Sequence, residues 1–189
     1  MFSYVYNHPL IEESVKISYL YEYHAYYHFK GGVRVKNPNF NAVDGLILDL
    51  KKNSEHAINK FYNDLVSIFN HYESINKIVF CAIPGHAAFS EISAMHIIAK
   101  KLSAHYERPD YSEILKRYKT IPRLSDGGVR NVGVHINSIR VDSNYPIKGM
   151  RFILLDDIST SGSSMAASNQ ILKIAGAEKV TCLALAHKF

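Results

Sequence analysis

The chain has 189 residues, 47% of them hydrophobic, and a formal net charge of +5. That length supports one α/β domain with a sizeable core and excludes two full ones. No apolar run approaches the roughly 20 residues that a bilayer demands, which excludes a spanning helix. The positive balance suits an anionic ligand, small or polymeric, and its basic residues are dispersed instead of forming a run.

The opening MFSYVYNHPLIEES has neither the basic start nor the apolar block of a secretion signal, so a cytoplasmic location is expected. Tyr19, Tyr21, Tyr23, Tyr26, Tyr27 and Phe29 follow in one stretch. Tyrosine-rich alternation predicts strand, the Gly31-Gly32 pair breaks it, and VRVK returns as the second strand of a hairpin. Such aromatics can stack bases, although packing against a core is the commoner use. Ile58, Phe61, Leu65 and Ile68 recur at helical spacing and predict a helix from Ser54 to Phe69. Ile78 to Ile83 reads as a strand, followed by the loop Pro84 to Ser90 and by a helix with Ile92, Met95, Ala99 and Leu102 on one face. Cys81 and Cys182 each lie within apolar runs, which predicts buried thiols rather than a disulfide or a metal site.

The stretch FILLDDISTSGSSM, Phe152 to Met165, carries the chemistry. Phe152 to Leu155 are apolar without alternation, as in a strand covered on both faces of a parallel sheet, and Asp156 and Asp157 sit at its carboxyl end. Ser159, Thr160, Ser161, Gly162, Ser163 and Ser164 come next, and Met165, Ile171, Leu172 and Ala175 fall on one helical face before Gly176 as C-cap. Small residues at a helix N-terminus let backbone N–H groups approach an anion, so this turn predicts a phosphate site. Two carboxylates beside a phosphate need a cation or a diol to meet, which suits a sugar phosphate. A last strand, Val180 to Leu185, completes a β-α-β unit. The expected fold is α/β: a mostly parallel twisted sheet flanked by helices, with a small N-terminal hood containing a β-hairpin. One domain spans residues 1–189, with residues 1–50 as the hood and 51–189 as the ligand-binding core.

The ordered string of two acids, an apolar residue and a Ser/Thr-rich turn with one glycine resembles the motif by which type I phosphoribosyltransferases bind PRPP, 5-phosphoribosyl-1-pyrophosphate. The order of elements from Tyr19 onward is most similar to the ComF-like subgroup. The resemblance implies that Asp156 and Asp157 hold the ribose hydroxyls as the catalytic pair, and that Ser159, Thr160, Ser161, Gly162, Ser163 and Ser164 surround the 5-phosphate. It implies that Pro84, Gly85 and His86 grip the pyrophosphate. Where the subgroup commonly has an Arg-Gly-Phe-Asn string this chain has Ala87-Ala88-Phe89-Ser90, without the arginine. The basic stretch from Lys116 to Asn131, with Arg117, Lys119, Arg123 and Arg130 and a Gly127-Gly128 hinge, is expected to close as a lid over the pyrophosphate.

The reaction so implied transfers phosphoribosyl to a nitrogen acceptor such as a nucleobase, with Mg²⁺ held mainly through PRPP and no protein ligand to it assigned. A PRPP-binding regulatory module and an accessory factor in DNA uptake are the alternatives. The expected partners are PRPP and the acceptor, with nucleic acid possible but not favoured, a homodimer left open and no membrane.

Overall fold

In a computed structural model of the chain, the described residues are 1–72, 75–89, 92–122 and 131–188. Five strands form the central sheet: β1 (Phe2–Tyr6), β2 (Val15–Glu22), β5 (Ile78–Ala82), β8 (Arg151–Ser159) and β9 (Lys179–His187). Their order is β1-β2-β9-β8-β5. Only β1 runs antiparallel to its neighbour; β2 with β9, β9 with β8 and β8 with β5 are parallel pairs. The expected α/β architecture is therefore present.

The sheet is central because its strands are apolar on both faces. In β8, Phe152 and Leu154 enter one core with Ile17, Met165 and Leu172, whereas Ile153 and Leu155 enter another with Phe61, Phe80 and Leu102. Successive side chains of a strand point to opposite sides, so a run of four apolar residues requires a cover on each. One cover is α1 (Ala42–Leu50), α2 (Glu55–Phe69) and α3 (Ala94–His105). The other is α5 (Ser163–Ile174), the short α4 (Val132–Ile136) and a two-stranded ribbon of β6 (Leu115–Arg117) and β7 (Ile139–Val141). Cys81 and Cys182 are unpaired and fully buried, as expected, and burial pushes the Cys182 thiol up to about 12.

Several boundaries differ from the sequence reading. The hairpin is narrower than the aromatic run: β3 (Tyr27–Lys30) pairs with β4 (Val33–Lys36) around Gly31 and Gly32, while Tyr19 and Tyr21 lie in β2. Tyr19 is buried, stacked on Phe2 and tilted against His187, so its ring serves the core. Strand β8 runs four residues past Leu155, because Asp156, Ile158 and Ser159 keep their pairing with Ala184, Ala186 and His187 of β9. Helix α3 starts only at Ala94, which leaves Ile92 outside it and half exposed. Helix α1 was not expected; Asn41 and Asp44 form a capping box, and buried Asp44 also accepts from His24 N–H at 2.8 Å. That contact ties the chain after β2 to the start of α1.

Gly162 tests the packing beneath the acid-rich strand. Its φ is +82°, and an added Cβ would lie 2.5 Å from Ile17 Cδ1 and 2.8 Å from Tyr4 Oη. Gly31 has φ +57° with nothing within 4 Å. Left-handed backbone costs an ordinary residue about 1–2 kcal/mol, and forced overpacking adds about 1–3 kcal/mol. Thermal melts should show Gly162→Ala losing about 4 °C or more, and clearly more than Gly31→Ala. Equal losses would mean that β1 and β2 do not confine the turn.

Candidate functional site

The carboxyl edge of the sheet opens into a cavity of about 600 Å³, within the range of small-molecule sites. Its wall brings together Asp156, Asp157, Thr160 and Ser164 from β8 and α5, Pro84, Gly85 and His86 after β5, Tyr23 and Lys51 from the N-terminal part, and Arg117 and His135. Adjacent parallel strands put their carboxyl ends, and the loops that follow them, side by side.

The acid pair sits on the last part of β8. Asp156 Oδ1 accepts the Asp157 N–H at 2.9 Å, and Asp157 Oδ1 accepts the Ile158 N–H at 2.6 Å. Lys51, which caps the C-terminus of α1, reaches Asp157 Oδ2 at 2.8 Å. Nothing in the sequence around Lys51 signals this, since the partner lies more than a hundred residues away. The lysine is half exposed, so the pair adds little stability. Its interest is electrostatic. Burial opposes the ammonium, but the charge and hydrogen bond of Asp157 and the charge of Asp156 outweigh it, and the Lys51 pKa is raised. Asp156 has no such direct partner: burial, then the neighbouring Asp157 charge, lift its carboxyl well above the usual range, although Lys51 and a hydrogen bond from Ser164 pull against them.

The turn after β8 divides its side chains between two sides. Thr160 and Ser164 line the cavity. Ser159 does not; it is buried and hydrogen-bonded to the Tyr4 hydroxyl, whose ring packs 4.4 Å from His187. The expectation that its hydroxyl meets phosphate is therefore corrected: Tyr4 of β1 takes that hydroxyl, away from the cavity wall. Ser161 and Ser163 bond each other at 3.0 Å, and Gly162 is the N-cap of α5 without a side-chain cap. The Ser163 N–H donates to Ser161 Oγ at 3.4 Å, and the next two N–H groups, of Ser164 and Met165, are left without an intrahelical acceptor, with the positive end of the helix behind them.

Arg117 also departs from expectation. It belongs to β6, not to a solvated lid, and only 4% of it is exposed. Its Nε donates to the Gly85 carbonyl, one terminal nitrogen donates to the Pro84 carbonyl at 3.4 Å, and the other donates to Ser138 Oγ at 2.5 Å. In a trans peptide the C=O and N–H point opposite ways, so the Gly85 and His86 N–H groups face away from Arg117. The guanidinium holds the Pro84 loop from behind. Burial lowers its pKa to about 10, with Asp156 opposing the fall. No ion pair to Arg117 exists among the described residues. Lys119 is exposed and lies outside the cavity wall, and Arg123 and Arg130 lie outside the described residues.

No protein-family model matches the chain, and no curated protein does. Among solved structures it is similar to phosphoribosylpyrophosphate synthetase from Mycobacterium smegmatis, with 20% identity and a TM-score of 0.41. That likeness covers 70% of this chain and 33% of the other, so the chain spans about a third of that protein's length. So distant a likeness leaves function to be read from the site.

The raised carboxyl has a measurable consequence. As pH rises from about 4, an unfolded Asp gives up its proton while folded Asp156 keeps it, so this group makes stability fall with rising pH. His135, lowered to about 4, acts in the opposite sense between pH 6.5 and 4, but equally in wild type and in Asp156→Asn. Urea melts from pH 4 to neutrality should therefore show Asp156→Asn gaining steadily on wild type as pH rises. A constant difference would mean that Asp156 ionises in its ordinary range.

Proposed function

We propose that the chain binds PRPP and acts as a phosphoribosyltransferase on a nitrogen acceptor, releasing pyrophosphate. One observation carries this reading: an acid pair at the carboxyl edge of the central strand and the glycine-capped N-terminus of α5 share one cavity wall with a buried arginine. A ligand that satisfies all three needs a diol or other hydroxyl donors beside anionic groups, and a phosphorylated ribose has both. Asp156 and Asp157 accept from the ribose hydroxyls, the α5 N-terminus with Thr160 and Ser164 takes the 5-phosphate, and the Pro84 loop takes the pyrophosphate.

In this reading the C1–O bond to pyrophosphate breaks as the acceptor nitrogen bonds to C1 from the opposite face. The Asp157 carboxylate, paired with Lys51, opposes the positive charge that develops on the ring while Asp156 helps hold the diol, and the Gly85 and His86 amides meet the charge that develops on the leaving oxygen. Among the described residues no cluster of three or more His, Cys, Asp or Glu surrounds a metal position. Two aspartates supply hard oxygen donors but not a whole coordination shell, so Mg²⁺ fits only with PRPP oxygens completing it. When bound, it would neutralise charge on the leaving group. Tyr23, on the wall beside Lys51, offers an aromatic face to an acceptor ring.

A second reading is favoured by the β3–β4 hairpin. Phe29 is 77% exposed, and Arg34 stacks on the Tyr27 ring at 4.0 Å with Lys36 over Tyr26. Exposed aromatics among cations suit single-stranded nucleic acid. Binding there would fall steeply with salt.

Calorimetry with PRPP and Mg²⁺ tests the first reading. The Asp156→Asn/Asp157→Asn variant should stay folded and bind PRPP about tenfold or more weakly, because it loses charge-assisted hydrogen bonds to the diol. Unchanged affinity would remove the pair from the site. Pyrophosphate release across a panel of nucleobases then separates an enzyme from a binder.

A further inference from the structure

The cavity wall contains a second buried group whose chemistry is fixed by Arg117. His135, from α4, is 3% exposed and lines the cavity. Its Nδ1 lies 3.4 Å from an Arg117 terminal nitrogen. A guanidinium offers only donors, so Nδ1 is the acceptor, and the neutral ring carries its proton on Nε2. The ring is neutral at pH 7, since burial and the Arg117 charge hold its pKa down to about 4. Nε2 is shielded and has no hydrogen-bond partner among the described residues. Around it, Arg117 meets two carbonyls, a hydroxyl and this imidazole, all of them neutral.

A buried cation and a buried N–H, each without a charged partner or acceptor among the described residues, are unfavourable side by side, and an anionic oxygen on the Arg117 side of the loop answers both needs, while a second phosphoryl group of the same pyrophosphate meets the Gly85 and His86 amides on the other side. The pair also excludes a metal ion, because the lone pair of Nδ1 is taken and Nε2 bears hydrogen. Of the two anionic ends of a phosphoribosyl pyrophosphate, the one at hand is set by the loop that Arg117 grips, since that loop, and not the α5 turn, shares the guanidinium. Resting on the reading of the site given above, we infer that His135 is a ligand-binding residue: its Nε2–H donates to an oxygen of the pyrophosphate group, in a subsite whose charge comes from Arg117. Because Nε2 is covered in the free chain, contact requires a local shift of the cavity wall as the anion arrives.

The test uses inorganic pyrophosphate and ribose 5-phosphate as separate probes on the full chain. His135→Phe keeps a ring but removes the donor; it should bind pyrophosphate about tenfold or more weakly and ribose 5-phosphate as wild type does. His135→Gln returns an N–H near the Nε2 position and should recover most of the loss. Long-range ¹H–¹⁵N spectra of the wild type should show the Nε2–H tautomer, with its resonance shifted by pyrophosphate and not by ribose 5-phosphate. Those spectra decide the matter if either variant fails to fold. Unchanged pyrophosphate affinity in His135→Phe, no recovery in a folded His135→Gln, or a ring indifferent to pyrophosphate would overturn the inference while leaving the phosphoribosyl reading standing. A wild type that binds neither PRPP nor ribose 5-phosphate would overturn both.

Discussion

Two carboxylates on consecutive residues, held together at the edge of a buried strand, set the terms for everything around them. Like charges this close raise each other's cost of ionisation, and a partly buried setting strengthens the effect. The chain answers from three distant segments. Lys51 arrives from the end of α1 to meet Asp157, Ser164 arrives from α5 to meet Asp156, and Arg117 stands behind the neighbouring loop with its charge felt at Asp156. Each of these arrives only because β8 lies between β9 and β5, with helices on both faces. Folding and function meet in that placement: the pairing that closes the sheet is also what leaves a polarised cavity, acidic along β8 and cationic or donor-rich elsewhere.

The N-terminal strands support this arrangement from the far side. Tyr4 and Ile17 pack against Gly162, and the Tyr4 hydroxyl holds Ser159. A turn with five hydroxyl residues and one glycine would otherwise sample many conformations, each presenting its N–H groups differently. Burial of one side of the turn against β1 and β2 fixes the other side toward the cavity. Asp44 does similar service for α1 by accepting from both Asn41 and His24 N–H groups, and so settles where Lys51 begins.

What was legible in the sequence was local. The double-covered strand, the acid pair, the small-residue turn and the helix that follows are one continuous string, and their order alone conveys strand, edge and helix N-terminus. The parallel core of β5, β8 and β9 was legible for the same reason. Less was legible where a side chain acts at a distance. Lys51 sits in an ordinary polar LKKN context, and Arg117 looked like one more cation in a basic stretch until β6 and β7, each only three residues long, fixed it inside. Ser159 belongs with them, because its partner Tyr4 stands in β1, 155 residues away in the chain. The tyrosine run misled as well, because its first half pairs with β9 and its second half forms the hairpin.

The most direct measurement is a crystal structure of the chain with ribose 5-phosphate. The account predicts the sugar hydroxyls within hydrogen-bond distance of Asp156 and Asp157 and the phosphate over the backbone N–H groups at the start of α5, with Thr160 and Ser164 beside it. A well-ordered ligand bound elsewhere, or one seated with its phosphate against the Pro84 loop and its diol away from the acid pair, would contradict it.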